Sequence, residues 1–230
     1  MATVLAVNGS PNQEKGQTAM LLAPFVRGME SAGAETEVVY ASRLHINPCD
    51  CGEMYCWGRT PGTCYHRDDM DDLYPRLRET DVLVLATPVY VPLPGDMQNL
   101  LNRLVPLLDP VLETRQERTR ARFREGVRIK KLVLLATGYW WEKENLDTVV
   151  RIAEELAEDA SVEFAGAVLR PHAYAMTAGG KLTSDGAAVL RTVERAGREL
   201  VERGTIAQDL LDAISRPLIS REESLRQQSE

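Results

Sequence analysis

Short runs of apolar, largely β-branched residues alternate along the chain with longer stretches in which apolar positions recur every three or four residues. The short runs, at 2–8, 35–40, 81–87, 131–137 and 161–168, read as strands, and four of them are bounded by turn residues or charges. Between them, Leu21, Leu22, Phe25, Val26 and Met29 share one face of a helix over 17–32. Met97, Leu100, Leu101, Leu104 and Leu108 do the same over 96–108. Residues 143–159 and 185–203 read as two more helices, and Asp68-Asp69 puts acidic side chains at the start of another over 69–79. Strand then helix, five times over, predicts an α/β fold with a parallel sheet covered on both faces.

No boundary suggests a second domain within 1–204, which contains a cysteine loop at 48–66. Residues 205–230 form an appendage: a short apolar helix carrying Ile206, Leu210, Leu211 and Ile214, then a polar tail from Ser220, expected to fray or to serve as an oligomer arm. Charge is segregated. Residues 109–131 hold eight basic side chains against four acidic ones, leaving −11 on the rest of the chain. This connector is either a solvated linker or a phosphate-attracting strip near a site.

The 230 residues carry a net charge of −7, which excludes a protein that coats nucleic acid. With 44% hydrophobic and 27% charged residues the composition is that of an ordinary globular chain. The first apolar run, Thr3 to Val7, is too short for a signal-peptide core, and no stretch reaches the roughly 18 to 20 apolar residues a bilayer demands, so a cytoplasmic, membrane-free protein is expected. Its four cysteines, Cys49, Cys51, Cys56 and Cys64, fall within 16 residues. A disulfide framework would spread its cysteines across distant segments; clustered thiols in a reducing compartment point to a metal or redox site.

Straight after the first strand, GSPNQEKGQT at 9–18 runs into a helix. Such a turn presents backbone N–H groups, hydroxyls and a helix dipole to one point, which suits a phosphate. Neither GxGxxG nor GxxxxGK[ST] is present; Ser10, Asn12, Gln17 and Thr18 are the candidate donors, unless the loop is only a capped turn. TPVYVPLPG at 87–95 and TGYWW at 137–141 end the third and fourth strands. In a doubly wound sheet these three loops converge, bringing Pro88, Tyr90, Tyr139 and Trp140 to flank a flat ring system, unless the aromatics are merely packed. No Ser-His-acid or paired-carboxylate constellation is apparent, so no catalytic side chain is assigned.

These loops, with ATPVYVPLPGDMQNLLNR and PCDCGEMYCWGRTPGTCYHRDDM, resemble the flavodoxin-fold NAD(P)H-dependent FMN reductases, and within them the iron-sulfur flavoprotein branch, over residues 3 to about 170. The resemblance implies a doubly wound five-stranded parallel sheet of order 2-1-3-4-5 that binds FMN. Its phosphate would lie on Ser10, Asn12, Gln17 and Thr18, and its ring against Pro88, Val89 and Tyr90, with Gly95 opening the next helix, and against Thr137, Gly138 and Tyr139. The backbone of 137–139 would then supply donors to the ring. In the branch a Cys-x2-Cys-x2-Cys run and a later cysteine hold a [4Fe–4S] cluster. Aligned on Cys56, the second of these falls here on Glu53, and the spacing is Cys-x-Cys-x4-Cys-x7-Cys. A shifted cluster, a structural zinc or metal-free thiols are the three readings, with His66 an extra ligand candidate. The implied activity is hydride passage from NAD(P)H to a flavin, quinone or similar small acceptor by a homodimer or homotetramer in contact through the cysteine loop and the C-terminal helix. The 109–131 arginines tilt the nicotinamide toward NADPH. The competing classes are an electron carrier between proteins and a cofactor-free structural homologue.

Overall fold

A computed structural model of the chain describes residues 1–229. Strands β1 (Thr3–Asn8), β2 (Glu35–Tyr40), β3 (Val82–Pro88), β4 (Lys131–Thr137) and β5 (Glu163–Arg170) form one sheet. Every neighbouring pair is parallel and the order is β2-β1-β3-β4-β5, the flavodoxin-like arrangement expected, with the change of winding direction between β1 and β3. The helices of eight or more residues are α1 (Gln17–Ser31), α2 (Met70–Glu79), α3 (Gly95–Asn102), α4 (Asp147–Ala160), α5 (Ser184–Arg203), α6 (Gln208–Ser215) and α7 (Arg221–Ser229), and a single helical turn, Tyr55–Gly58, lies in the cysteine loop. None of the described helices is long and apolar enough to cross a membrane.

Alternation along the strands divides the core. Leu5, Val7, Leu83, Leu85 and Leu134 meet α2, α3 and α4 on one face. Val4, Ala6, Val84, Val133 and Leu135 meet α1, α5 and α6 on the other. Because both faces are covered, the inner strands are apolar without interruption. The β2 edge is different, since Glu35 and Glu37 face solvent there and discourage edge-to-edge pairing.

Helices α1 and α5 touch backbone to backbone. A Cβ on Gly28 would lie 1.9 Å from the Glu194 carbonyl oxygen, and one on Gly197 would lie 2.0 Å from that of Phe25. The two glycines therefore set the position of α1, whose other end begins at the loop after β1.

Three expectations change. The helix expected over 96–108 stops at Asn102, and the chain continues as a 3-10 turn over Val105–Leu107, where Pro106 lacks the N–H an α-helix would need. Residues 221–229, expected to fray or to serve as an oligomer arm, form α7, tied to the body through Ser224 Oγ at 2.7 Å from the Tyr174 hydroxyl. The apolar face of α6, expected to meet a partner subunit, is spent inside the chain, with Leu210 and Ile214 in the core.

The 109–131 connector is neither a free linker nor a strip beside the cofactor loops. Glu113–Arg115 and Arg118–Arg120 pair as a hairpin whose arginines bind the acids of α4: Arg118 to Glu155 at 2.7 Å, and Arg120 to Glu155 at 2.8 Å, Glu158 at 2.5 Å and Asp159 at 3.1 Å. Helix α4 starts at the carboxyl edge of the sheet and runs back for ~20 Å, so its final turn lies at the opposite edge from the loops. Arg118 and Arg120, two of the arginines proposed to attract a 2′-phosphate, are paired there.

Candidate functional site

At the carboxyl edge, Gly9 N–H donates to Ala86 O (2.8 Å), locking the loop after β1 onto β3. Ser10 is buried; its N–H donates to Asn8 Oδ1 (2.9 Å) and its Oγ accepts from Asn12 N–H (3.3 Å). Asn12 is exposed and Gln17 half-buried. Helix α1 opens at Gln17 with Gly16 as its cap and no side-chain capping bond, leaving its first-turn amides free of a side-chain acceptor. Beneath the loop, Asn8 is fully buried, and its Nδ2 has no hydrogen-bond partner among the described residues. A buried amide group left unpaired is costly, so a ligand acceptor at this loop would be favoured.

Thr18 is arranged differently from expectation. Its hydroxyl lies 2.9 Å from the Thr137 hydroxyl, with both residues buried, so it ties α1 to the end of β4. Gly138 departs as well: its N–H donates to Arg170 O at 2.9 Å and is not available to a ring, whereas Tyr139 N–H has no partner among the described residues. Pro88 pairs in register with Thr137, and Val89 N–H donates to Thr137 O (2.9 Å), which brings the second and third loops together.

Val89, Tyr90, Gly138, Tyr139, Trp140 and Asn145 line a cleft with about 620 Å³ of space not filled by protein atoms. The residues of the first loop, Pro88 and Thr137 lie outside that lining. Tyr90, Tyr139 and Trp140 are 52%, 57% and 60% exposed, so they stand open around the cleft rather than packed beneath it. Asn145 was not anticipated, because a single amide in a polar segment carries no periodic signal. Asn8 was more legible, as a polar residue closing an apolar strand at the switch point.

Behind the third loop lies a buried basic pair. Arg170 is fully buried with no carboxylate partner among the described residues; it donates to Pro171 O (2.8 Å), Ile214 O (2.5 Å) and Arg216 O (2.9 Å), satisfying carbonyls at the end of α6. His172 Nε2 accepts from Arg170 Nη2 (3.0 Å) and from Leu218 N–H (3.1 Å), so its proton sits on Nδ1, facing Trp141 O at 3.2 Å. Burial, aided by the Arg170 charge, pushes His172 down to about 4. Trp141 Nε1 donates to Ile219 O (2.9 Å), completing a strap from the C-terminal segment to the loop.

All four cysteines are free thiols and line one tight pocket, together with Tyr55, Tyr65, His66, Asn102, Arg103, Val105 and Pro106. Glu53, where the branch's spacing would place a cysteine, is outside that lining and pairs with Arg59 at 2.8 Å. Cys56 and Cys64 are buried, Cys51 half-buried and Cys49 exposed. Burial, reinforced by the neighbouring cysteines, pushes the Cys56 thiol up to about 11. No three His, Cys, Asp or Glu side chains among the described residues are grouped to hold a metal ion. Arg124, from the basic connector, donates to Pro106 O (3.0 Å) and Cys56 O (3.3 Å) and braces the cavity wall.

The model of the family described as NADPH-dependent FMN reductase matches residues 2–142. An iron-sulfur flavoprotein of Archaeoglobus fulgidus is 34% identical over 104 residues, 44% of this chain and 45% of the relative. One of Methanosarcina thermophila is 31% identical over 105 residues, 44% of this chain and 52% of the relative. The match thus spans about half the length of these curated relatives. Among solved structures, the NAD(P)H:quinone oxidoreductase of Methanothermobacter marburgensis superposes with a TM-score of 0.60 at 18% identity, covering 86% of this chain and 98% of the other. An FMN-dependent NADH-azoreductase of Bacillus anthracis, in complex with FMN, gives 0.56 at 10% identity over 89% and 100%.

Proposed function

The chain belongs to the NADPH-dependent FMN reductase family, and on that premise we propose that it is an FMN-dependent NAD(P)H oxidoreductase acting on a flavin, quinone or similar small acceptor. The observation that carries this reading is the loop at the β1/β3 switch, where the uncapped first turn of α1, buried Ser10 and the unpaired Nδ2 of Asn8 meet. This donor set fits a phosphate monoester, with Ser10, Asn12 and Gln17 as its side-chain contacts and the α1 dipole favouring negative charge.

FMN, when bound, supplies the capacity to accept a hydride from the nicotinamide and pass electrons to the acceptor. The residues around the cleft have positional roles. Val89, Tyr90, Tyr139 and Trp140 offer apolar and aromatic walls that orient flat rings and exclude water, and the free Tyr139 N–H is a donor to developing negative charge at the ring edge. Thr18 and Thr137 act indirectly, by fixing the distance between the phosphate loop and the ring loop. Open aromatics around the cleft favour completion by a second copy of the chain, as a homodimer or a tetramer of dimers, which light scattering would read directly.

The cavity shared by Cys49, Cys51, Cys56 and Cys64 favours a second reading alongside the first: these thiolates hold a [4Fe–4S] cluster, so that single electrons leave toward a protein partner. The four thiols that line one pocket match in number the ligands of such a cluster. Titration with FMN should quench flavin fluorescence to saturation and confer NAD(P)H oxidation with a quinone or flavin acceptor. Absence of either overturns the reductase reading. Iron and acid-labile sulfide in anaerobically prepared protein test the cluster, and their absence after reconstitution would retire it.

A further inference from the structure

Arg103 closes α3 and is 1% exposed at the wall of the cysteine cavity. Its Nη1 donates to Asp68 Oδ2 (2.7 Å) and Asn47 O (2.9 Å), and its Nη2 donates to Asp68 Oδ1 (3.1 Å). Asp68 is itself held by Asn47 N–H (2.9 Å), Asn47 Nδ2 (3.0 Å) and Met70 N–H (3.1 Å), and its side chain is fully buried. The Arg103 carbonyl accepts from the Tyr74 hydroxyl at 2.8 Å. The guanidinium is therefore fixed at both ends. Yet its Nε, buried as well, has no hydrogen-bond partner among the described residues. Fixing a charged fork this firmly while leaving its buried Nε unpartnered in a residue that lines a pocket shared with four thiols is not what a purely structural ion pair needs.

Resting on the cluster reading above, we propose that Arg103 donates its Nε–H to a sulfur of the iron–sulfur centre and thereby raises that centre's reduction potential. Neutral thiols are weak acceptors, whereas cluster sulfide and bound thiolate carry negative charge and accept well. One-electron reduction adds a further negative charge to the centre, so a donor aimed at sulfur stabilises the reduced form more than the oxidised one. Because Asp68 cancels the Arg103 charge, the influence is that of a directed N–H dipole and not of net charge. This also explains why a cation at the wall of the cavity is clamped by a carboxylate instead of facing the thiols freely.

The test is a mediated dithionite titration of the reconstituted full chain, followed by EPR and visible absorbance, for the wild type, Arg103→Lys and the charge-balanced double variant Asp68→Asn with Arg103→Met. Both variants remove Nε–H. The expected result is an assembled cluster whose reduced-to-oxidised ratio at fixed potential falls about tenfold, a shift of about 59 mV to more negative values for one electron. Glu53→Gln, outside the cavity, should leave the potential where it is. An unchanged potential in either loaded variant overturns the role of Arg103 alone. Loss of the cluster from both, with the wild type loaded, also overturns it, since assembly and not tuning would be the function. A wild type that takes up no iron and sulfide overturns the cluster reading and this role together.

Discussion

The hydroxyls of Thr18 and Thr137, 119 residues apart in sequence, lie 2.9 Å from each other in the interior. They join the first turn of α1, at the phosphate loop, to the last residue of β4, at the ring loop. Thr18→Val or Thr137→Val leaves one buried hydroxyl unpaired and should cost about 1–2 kcal/mol in urea unfolding. The double valine variant should lose less than the sum of the singles, as a double-mutant cycle would read. FMN affinity should weaken in each single variant, since the two loops lose their fixed spacing.

His172 makes stability depend on acidity. Held down to about 4 against an ordinary value near 6.5, it binds its proton less readily in the folded chain than in the unfolded one. Its contribution is thus fully present above about pH 6.5 and is lost as pH falls toward 4, on the order of 2 kcal/mol after allowance for screening. Urea midpoints measured across that window should fall for the wild type and flatten for His172→Gln, which offers an amide in place of the titrating ring.

Gly28 and Gly197 admit no side chain. With carbonyl oxygens 1.9 and 2.0 Å from where their Cβ atoms would be, either Gly→Ala change must separate α1 from α5. Such overpacking should cost at least ~1–3 kcal/mol by chemical denaturation, and FMN affinity should fall with it, because α1 carries the phosphate loop.

Neutralising Arg118 and Arg120 together to Gln should loosen the hairpin, seen as faster amide exchange over 113–120, yet leave the ratio of NADPH to NADH turnover within about threefold of the wild type. Both side chains are consumed by Glu155, Glu158 and Asp159 at the far edge of the sheet. A larger change in that ratio would return these arginines to the cofactor.

What the sequence disclosed depended on the range of the interaction. Strands such as 131–137 were read to the residue because two-sided burial leaves an uninterrupted apolar run, and the three loops followed from strand order. Thr18 was read as a phosphate donor because its local context is a helix start; its actual partner lies 119 positions away and leaves no periodic trace. Arg103 carried no signal in the sequence, and only the fold reveals that Asp68 holds it inside. The basic connector was visible as charge, but the acids that absorb it belong to a helix read for its apolar face. Glu53 marked a break in cysteine spacing correctly, while the loop's path still turns Cys49 and Cys51 into the common cavity.

Helix α3 deserves its place in the chemistry for its brevity. Its eight residues start beside the ring loop and end at Arg103, so the two proposed redox groups are held on opposite ends of one rigid strut ~12 Å long. A strut of that kind transmits displacement. A change at Arg103 is therefore applied to the same helix that begins at Gly95, where the loop carrying Val89 and Tyr90 ends.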